Sequence, residues 1–214
     1  MKQFNIIKKN RKYYAATTGG YDCKILIDEA SATLPLGRQT LEVDDISVRS
    51  KYGTDLIFKL KASIEEQKQA GICSLKVPFY NTVLVEQCRK LGGKFDDAEK
   101  AWIFSGMVAD EVEALDEIYN SPAVEVTIEF VKDGDGRQAP YYLAGFKIAT
   151  AWGRDSGAKL ADGVAMISGS VDSTGSMKNW YTTVMAGSVI RIMIPELVLP
   201  QLADIDGISY TVKK

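Results

Sequence analysis

Histidine is absent from this 214-residue chain. That removes Ser-His-Asp and Cys-His nucleophile activation, His-ligated zinc, and the side chain best suited to proton transfer near neutral pH. Cysteine is sparse. Cys23, Cys73 and Cys88 are odd in number, widely spaced and never in a C-x-x-C pair, so neither a disulfide framework nor a thiolate metal site is expected. Each is expected to pack as a small apolar group in a reducing compartment. No uncharged apolar run reaches the ~18 residues of a membrane span. The longest candidate, "SVIRIMIPELVLPQLA", carries Arg191, Glu196 and two prolines. The opening "MKQFNIIKKNRKYY" has basic residues but no apolar segment before a small-residue cleavage site, so a signal peptide is not expected. These absences predict a cytoplasmic protein with no membrane partner and no cofactor.

What is present has globular proportions. Hydrophobic residues at 46% and charged residues at 25% argue against a disordered scaffold. The net charge of −2 argues against a uniformly basic nucleic-acid binder, but its distribution is uneven. Residues 1–60 hold ten Lys/Arg against seven Asp/Glu, residues 61–121 seven against eleven, and residues 122–214 nine against ten. The first fourteen residues contain Lys2, Lys8, Lys9, Arg11 and Lys12 with no acid, which reads as a solvated basic arm or a phosphate-contacting segment.

Along the chain, "KYYAAT" and "YDCKILID" flank Gly19-Gly20, a hairpin signal, since two glycines supply the positive φ angles of a tight primed turn. "LEVDDISVRS" and "DLIFKLKAS" read as further strands. Then the period changes. "CSLKVPF" predicts a short strand, Asn81 a helix cap, and Leu84, Cys88 and Leu91 one helical stripe that Gly92 stops. "KFD" and "AWIF" predict a hairpin, with Phe95 and Trp102 facing each other across it and Asp97 helping the turn. Val108, Val112, Leu115 and Tyr119 mark the inner face of a second helix whose other face carries Asp110, Glu111, Glu113, Asp116 and Glu117. "AVEVTIEFV", "YYLAGFKIATAW", "GVAMISGSV", "NWYTTVM" and "SVIRIMI" predict strands, and "KDGDGRQAP", "WGRDSGAK" and "SGSVDSTGSMKNW" loops. The expected fold is α+β: a single domain over 1–214, mostly one continuous antiparallel β-sheet with a central βαββα insertion and helices on one face. Its sub-regions are 1–62 (β-rich), 73–121 (βαββα) and 122–214 (β-rich).

Three motif fragments fall short of the chemistry they suggest. "GRDSGAKL" is one residue short of a phosphate loop and has Leu160 where the hydroxyl belongs. Ser156-x-x-Lys159 lacks the partner motifs of acyl transfer. "DGDGR" begins like a calcium loop but has Ala144 at the twelfth position. No catalytic and no metal-ligating residue is assigned, and the chain is not expected to be an enzyme.

The recurrent pattern is basic residues beside aromatics: "KKNRKYY", "SVRSKY", "AWGR" and "MKNWYTT". Cations that track a backbone, with rings under the bases, grip a single nucleic-acid strand, each stacked base being worth ~1–3 kcal/mol. The candidate DNA-binding residues are Lys8, Lys9, Arg11, Lys12, Tyr13, Arg154, Lys178, Trp180 and Tyr181. Ordinary strand composition favours Tyr, Trp and Thr as well.

Residues 73–104 carry a resemblance on Val77, Pro78, Leu91, Gly92, Gly93, Phe95, Asp96, Lys100 and Trp102. The stretch resembles the short βαββ module appended to conjugative primases and topoisomerases, and also the HARP domain of annealing helicases. Phe95 stands where the first family usually has tryptophan. Both resemblances imply a nucleic-acid setting. More weakly, without a diagnostic motif, the β-rich, histidine-free chain resembles the single-stranded-DNA-binding RNA polymerase cofactors of podophages. The functional expectation is a non-enzymatic single-stranded-DNA-binding accessory protein of a phage or mobile element. Its expected partners are single-stranded nucleic acid and, as further candidates, RNA polymerase and a second copy of the chain. The alternative is a protein-binding inhibitor or regulator of a host defence protein, suggested by the acidic helix face.

Overall fold

Two-residue alternation organises the start of the chain. In β1 (Lys2–Lys9), Phe4 and Ile6 are buried while Lys2, Gln3 and Asn5 are exposed. The computed structural model describes residues 1–51 and 53–213. After β1 come β2 (Tyr13–Thr18), β3 (Tyr21–Leu26), β4 (Gly37–Leu41), β5 (Val43–Asp45), β6 (Val48–Ser50), β7 (Gly53–Asp55) and β8 (Ile57–Leu60). Next are α1 (Ile64–Gln69), β9 (Ile72–Leu75), α2 (Thr82–Lys90), β10 (Lys94–Asp96), β11 (Ala101–Ser105) and α3 (Ala109–Tyr119). The remainder is β12 (Ala123–Phe130), β13 (Gly134–Arg137), β14 (Tyr141–Leu143), β15 (Phe146–Ala151), β16 (Ala158–Leu160), β17 (Val164–Ser168), β18 (Val171–Ser176), β19 (Asn179–Val184), β20 (Val189–Pro195), α4 (Pro200–Ala203) and β21 (Ile208–Val212).

This is a mostly-β chain, 49% strand and 17% helix, and not the α+β fold expected. The strands form six separate sheets among the described residues, so no single continuous sheet exists for helices to cover. Two physical reasons account for the difference. The helices are short, 6, 9, 11 and 4 residues. Segments whose composition reads as loop also pair as strands. "GDGR" becomes β13 and "VDSTGS" becomes β18, one on each side of β19. Gly, Ser and Asp are poor strand formers, but an already formed neighbour with unpaired backbone groups outweighs that preference. Likewise "YYLAGFKIATAW" is two strands, β14 and β15, reversing at Ala144-Gly145.

The chain packs as two compact units, Met1–Lys76 with Cys88–Glu113, and Val77–Gln87 with Ala114–Lys214. The division runs through α2 and α3. Unit 1 contains the six-stranded sheet β4-β1-β2-β3-β8-β5, the pair β6-β7 and the sheet β10-β11-β9. Within the larger sheet only β3 and β8 run parallel. Phe4, Ile6, Tyr14, Ala16, Cys23, Ile25, Leu41, Phe58 and Leu60 fill its inner face, with Leu34 and Ile64 buried among them. Gly19 and Gly20 have φ of 56° and 85°, the left-handed pair that the β2–β3 turn requires.

The "GGKFDDAEKAWIF" stretch forms the β10–β11 hairpin. Phe95 pairs with Trp102 across it, edge to face with ring centroids 5.6 Å apart, which is worth ~0.5–1.5 kcal/mol beyond area burial. Two side chains hold the turn: Asp96 Oδ1 accepts from the amides of Ala98 and Glu99 at 2.8 and 3.2 Å, and Asp97 Oδ1 accepts from the Lys100 ammonium at 3.3 Å. Gly92 ends α2 with φ 78°, and the Gly93 amide donates to the Cys88 carbonyl at 2.8 Å. A Cβ on Gly93 would meet the Phe104 ring at 2.4 Å.

Unit 2 contains the sheets β17-β20-β12-β21, β13-β19-β18 and β14-β15-β16. The Asn81 side chain caps α2, accepting from the Val83 and Leu84 amides at 3.0 Å each, and donates to the Ala144 carbonyl at 2.9 Å. The four predicted inner residues of α3, Val108 just before it and Val112, Leu115 and Tyr119 within it, are buried. Among the described residues no helix is long and apolar enough to cross a membrane.

Asn81→Ala removes two amide partners and a carbonyl partner inside unit 2 and is expected to destabilise the chain by about 1–2 kcal/mol, read by urea denaturation. Burial pushes the Cys23 and Cys88 thiols up to about 11, so only about one thiol in a thousand is ionised at pH 8. Both are expected to resist iodoacetamide at that pH in the folded protein and to react fully in denaturant, as counted by mass spectrometry.

Candidate nucleic-acid interface

The predicted site residues fall into two groups, one in each unit. Lys8, Lys9, Arg11, Lys12 and Tyr13 lie in unit 1, and Arg154, Lys178, Trp180 and Tyr181 in unit 2. Tyr52 of "SVRSKY" lies outside the described residues.

The first group surrounds the β1–β2 turn. The N-terminal segment is no free arm: β1 is hydrogen-bonded on both sides, by β4 and β2. A bulge in β1 sets the positions of its lysines. Ile6 pairs with Ala16 and Lys8 with Ala15, leaving Ile7 as the extra residue, 55% exposed. Lys9 therefore lies opposite buried Tyr14. Its ammonium stands 5.3 Å from that ring centroid and donates to the Ala32 carbonyl at 2.8 Å. Lys8, by contrast, joins Ala15 and Lys24 in one row across β1, β2 and β3 on the face opposite the core.

Asn10, Arg11 and Lys12 form the reversal, closed by the Asn10 amide donating to the Tyr13 carbonyl at 2.9 Å. Lys8, Arg11 and Lys12 are exposed and make no ion pair among the described residues. Four other cations of unit 1 are ion-paired: Lys2 with Asp45, Lys24 with Asp55, Lys59 with Asp28 and Lys100 with Asp97. Tyr13 is half-buried, with the Lys24 ammonium 5.8 Å from its ring centroid. Asp55, by hydrogen bonding, holds that ammonium's pKa above its ordinary value.

The second group is assembled from the β15–β16 loop and the β18–β19 hairpin. The Arg154 carbonyl accepts from the Ser173 hydroxyl of β18, and its guanidinium is 3.8 Å from Asp155. Lys178 sits in the hairpin turn, its carbonyl accepting from the Gln138 side chain. Trp180 and Tyr181 are consecutive on β19, so they point to opposite faces. Register sets Trp180 against Gly175, and Tyr181 between Arg137 and Thr174. Both rings are half-buried.

One ring outside the predicted set is more available. Trp152 is 65% exposed, and the Lys159 ammonium lies 5.9 Å from its ring centroid. Ser156 rigidifies the loop: its hydroxyl accepts from the Trp152 amide at 3.0 Å and lies 2.8 Å from the Gly153 and Gly157 carbonyls. The "AWGR" pattern contained this signal.

The units also differ in charge. Unit 1 has 17 Lys/Arg against 15 Asp/Glu, a net +2, and unit 2 has nine against 13, a net −4. No group of three or more metal-ligating side chains occurs among the described residues. Comparison with protein-family models, curated proteins and solved structures found no match.

Of the three tryptophans, Trp102 and Trp180 are half-buried. Among single Trp→Phe variants, Trp152→Phe is expected to cause the largest fall in acrylamide quenching of intrinsic fluorescence.

Proposed function

We propose that this chain is a non-enzymatic accessory protein of a phage or mobile element that binds single-stranded DNA, with the β1–β2 turn as its principal phosphate contact. The observation that carries the reading is the set of three adjacent exposed cations, Lys8, Arg11 and Lys12, gathered on one turn with no ion pair among the described residues. An unmatched surface cation gains little from intramolecular pairing, ~0–1 kcal/mol. Displacing counterions from a polyanion gives it more. Tyr13 beside them supplies a ring, and Trp152 with Arg154 and Lys159 supplies another in unit 2. The resemblance of residues 73–104 to modules that accompany DNA-handling enzymes supports the same setting. Recruitment of RNA polymerase is the partner role this reading favours.

A second reading is kept by one observation. Asp110, Glu111, Glu113, Asp116 and Glu117 are exposed on the 11-residue α3 and form no ion pair among the described residues. That surface suits a basic protein partner of the kind an inhibitor would engage. Capture from host lysate that survives nuclease treatment supports this alternative.

Fluorescence anisotropy with a labelled oligonucleotide tests the first reading. Replacing Lys8, Arg11 and Lys12 together by Gln is expected to weaken binding at low salt and to reduce the slope of log K against log salt by about 2, at ~0.7 for each phosphate no longer neutralised. Wild-type binding that is absent or indifferent to salt overturns it.

A further inference from the structure

We infer that a second phosphate-contacting site lies in the groove between β4 and the β2–β3 turn, so that a bound strand runs across the outer face of the six-stranded sheet. This rests on the β1–β2 turn being a nucleic-acid contact, and it extends that contact to Arg38, Asn5 and Gln3, which no basic–aromatic pattern marks.

The groove is about 490 Å³ and belongs wholly to unit 1. Gln3, Asn5, Thr17, Arg38, Gln39 and Thr40 line it, with the Gly19–Gly20 turn as a further wall. None of its lining residues is acidic, although unit 1 carries 15 Asp/Glu. Register sets Arg38 opposite Asn5 and Asn5 opposite Thr17, so guanidinium, amide and hydroxyl form one row across three strands. Arg38 is exposed and makes no ion pair among the described residues. A planar fork of donors with amides and hydroxyls beside it suits a phosphodiester.

A charged residue on an edge strand also discourages edge-to-edge pairing. That role asks nothing of the neighbours on β1 and β2, whereas a phosphate site requires them to be free of carboxylates, as they are; the row meets a carboxylate at Asp22 on β3, beyond Thr17.

β1 carries both sites. At ~3.3 Å per residue, Asn5 and Lys8 are about 10 Å apart along the strand, and the β1–β2 turn extends the track. The bulged, exposed Ile7 lies between them, and small Ala15 stands beside Lys8; neither is charged. A strand held at both ends would rest its bases there. Such a track is spanned by a few nucleotides, at the low end of the roughly 4–16 that single-strand sites cover.

The test measures labelled oligo(dT) of about 16 nucleotides on the wild type, Arg38→Gln, Arg38→Lys, the triple turn variant and Arg38→Gln combined with the triple turn variant. Circular dichroism confirms that each is folded. Arg38→Gln is expected to weaken binding about tenfold, as loss of a charge-assisted bond does, and to lower its salt slope by about 0.7. Arg38→Lys is expected to recover the slope but only part of the affinity. The combined variant is expected to lose both contributions to the slope. Wild-type behaviour of Arg38→Gln, alongside a weakened turn variant, overturns the groove and leaves the turn standing. A combined variant no weaker than the triple turn variant overturns the track across the sheet. No binding by the wild type overturns both.

Discussion

Packing of Phe4, Ile6, Tyr14, Ile25 and Phe58 on one side of the six-stranded sheet decides where the cations of β1 to β3 stand. Each of these side chains gains ~1.5–3 kcal/mol by leaving water, whereas an exposed ion pair is worth ~0–1 kcal/mol. The apolar set therefore dictates the register, and the charged residues take what alternation leaves them. Phe4 and Phe58 meet edge to face with centroids 5.2 Å apart, tying β1 to β8 across the core. A one-residue slip of β1 would reverse its faces and expose Phe4 and Ile6.

The bulge at Ile7 is the one departure from that alternation, and the basic site depends on it. Without the extra residue, Lys8 would fall opposite Tyr14 on the inner side. With it, Lys8 stands on the outer face and Lys9 covers the Tyr14 ring, donating to the Ala32 carbonyl. Of two neighbouring lysines, one serves the fold and the other is left to solvent. The loop that receives Lys9 is itself tightly bound: the Ser31 hydroxyl accepts from the Asp28 amide at 2.9 Å and donates to the Leu26 carbonyl at 2.8 Å. The basic turn thus stands on a well-anchored base, which limits the ordering cost of ligand binding.

Unit 2 achieves order by other means. β18 and β13 are polar, glycine-containing strands that flank β19, and hydroxyl bonds join all three. The Thr183 hydroxyl lies 2.6 Å from Asp135 and 2.7 Å from the Thr174 hydroxyl, and the buried Thr182 hydroxyl bonds the Ala139 carbonyl and the Ala151 amide. Buried Thr182 and Thr183 are satisfied in this way, so apolar alternation is not needed to hold these strands.

Local chemistry was legible wherever a short-range rule governed it. The Gly19-Gly20 turn, the Asn81 cap, the Gly92 stop, the Phe95–Trp102 pair and the buried stripe of Val108, Val112, Leu115 and Tyr119 all follow from neighbours within a few positions. Each depends on one residue's conformational freedom, hydrogen-bonding group or helical spacing. The partition into six sheets, the bulge at Ile7, the conversion of "GDGR" and "VDSTGS" into strands and the grouping of Arg38 with Asn5 and Thr17 were decided by tertiary structure alone. In those cases the partner that supplies the hydrogen bonds or shares the face lies on another strand. The free energy of pairing with that strand exceeds the local preference that composition reports.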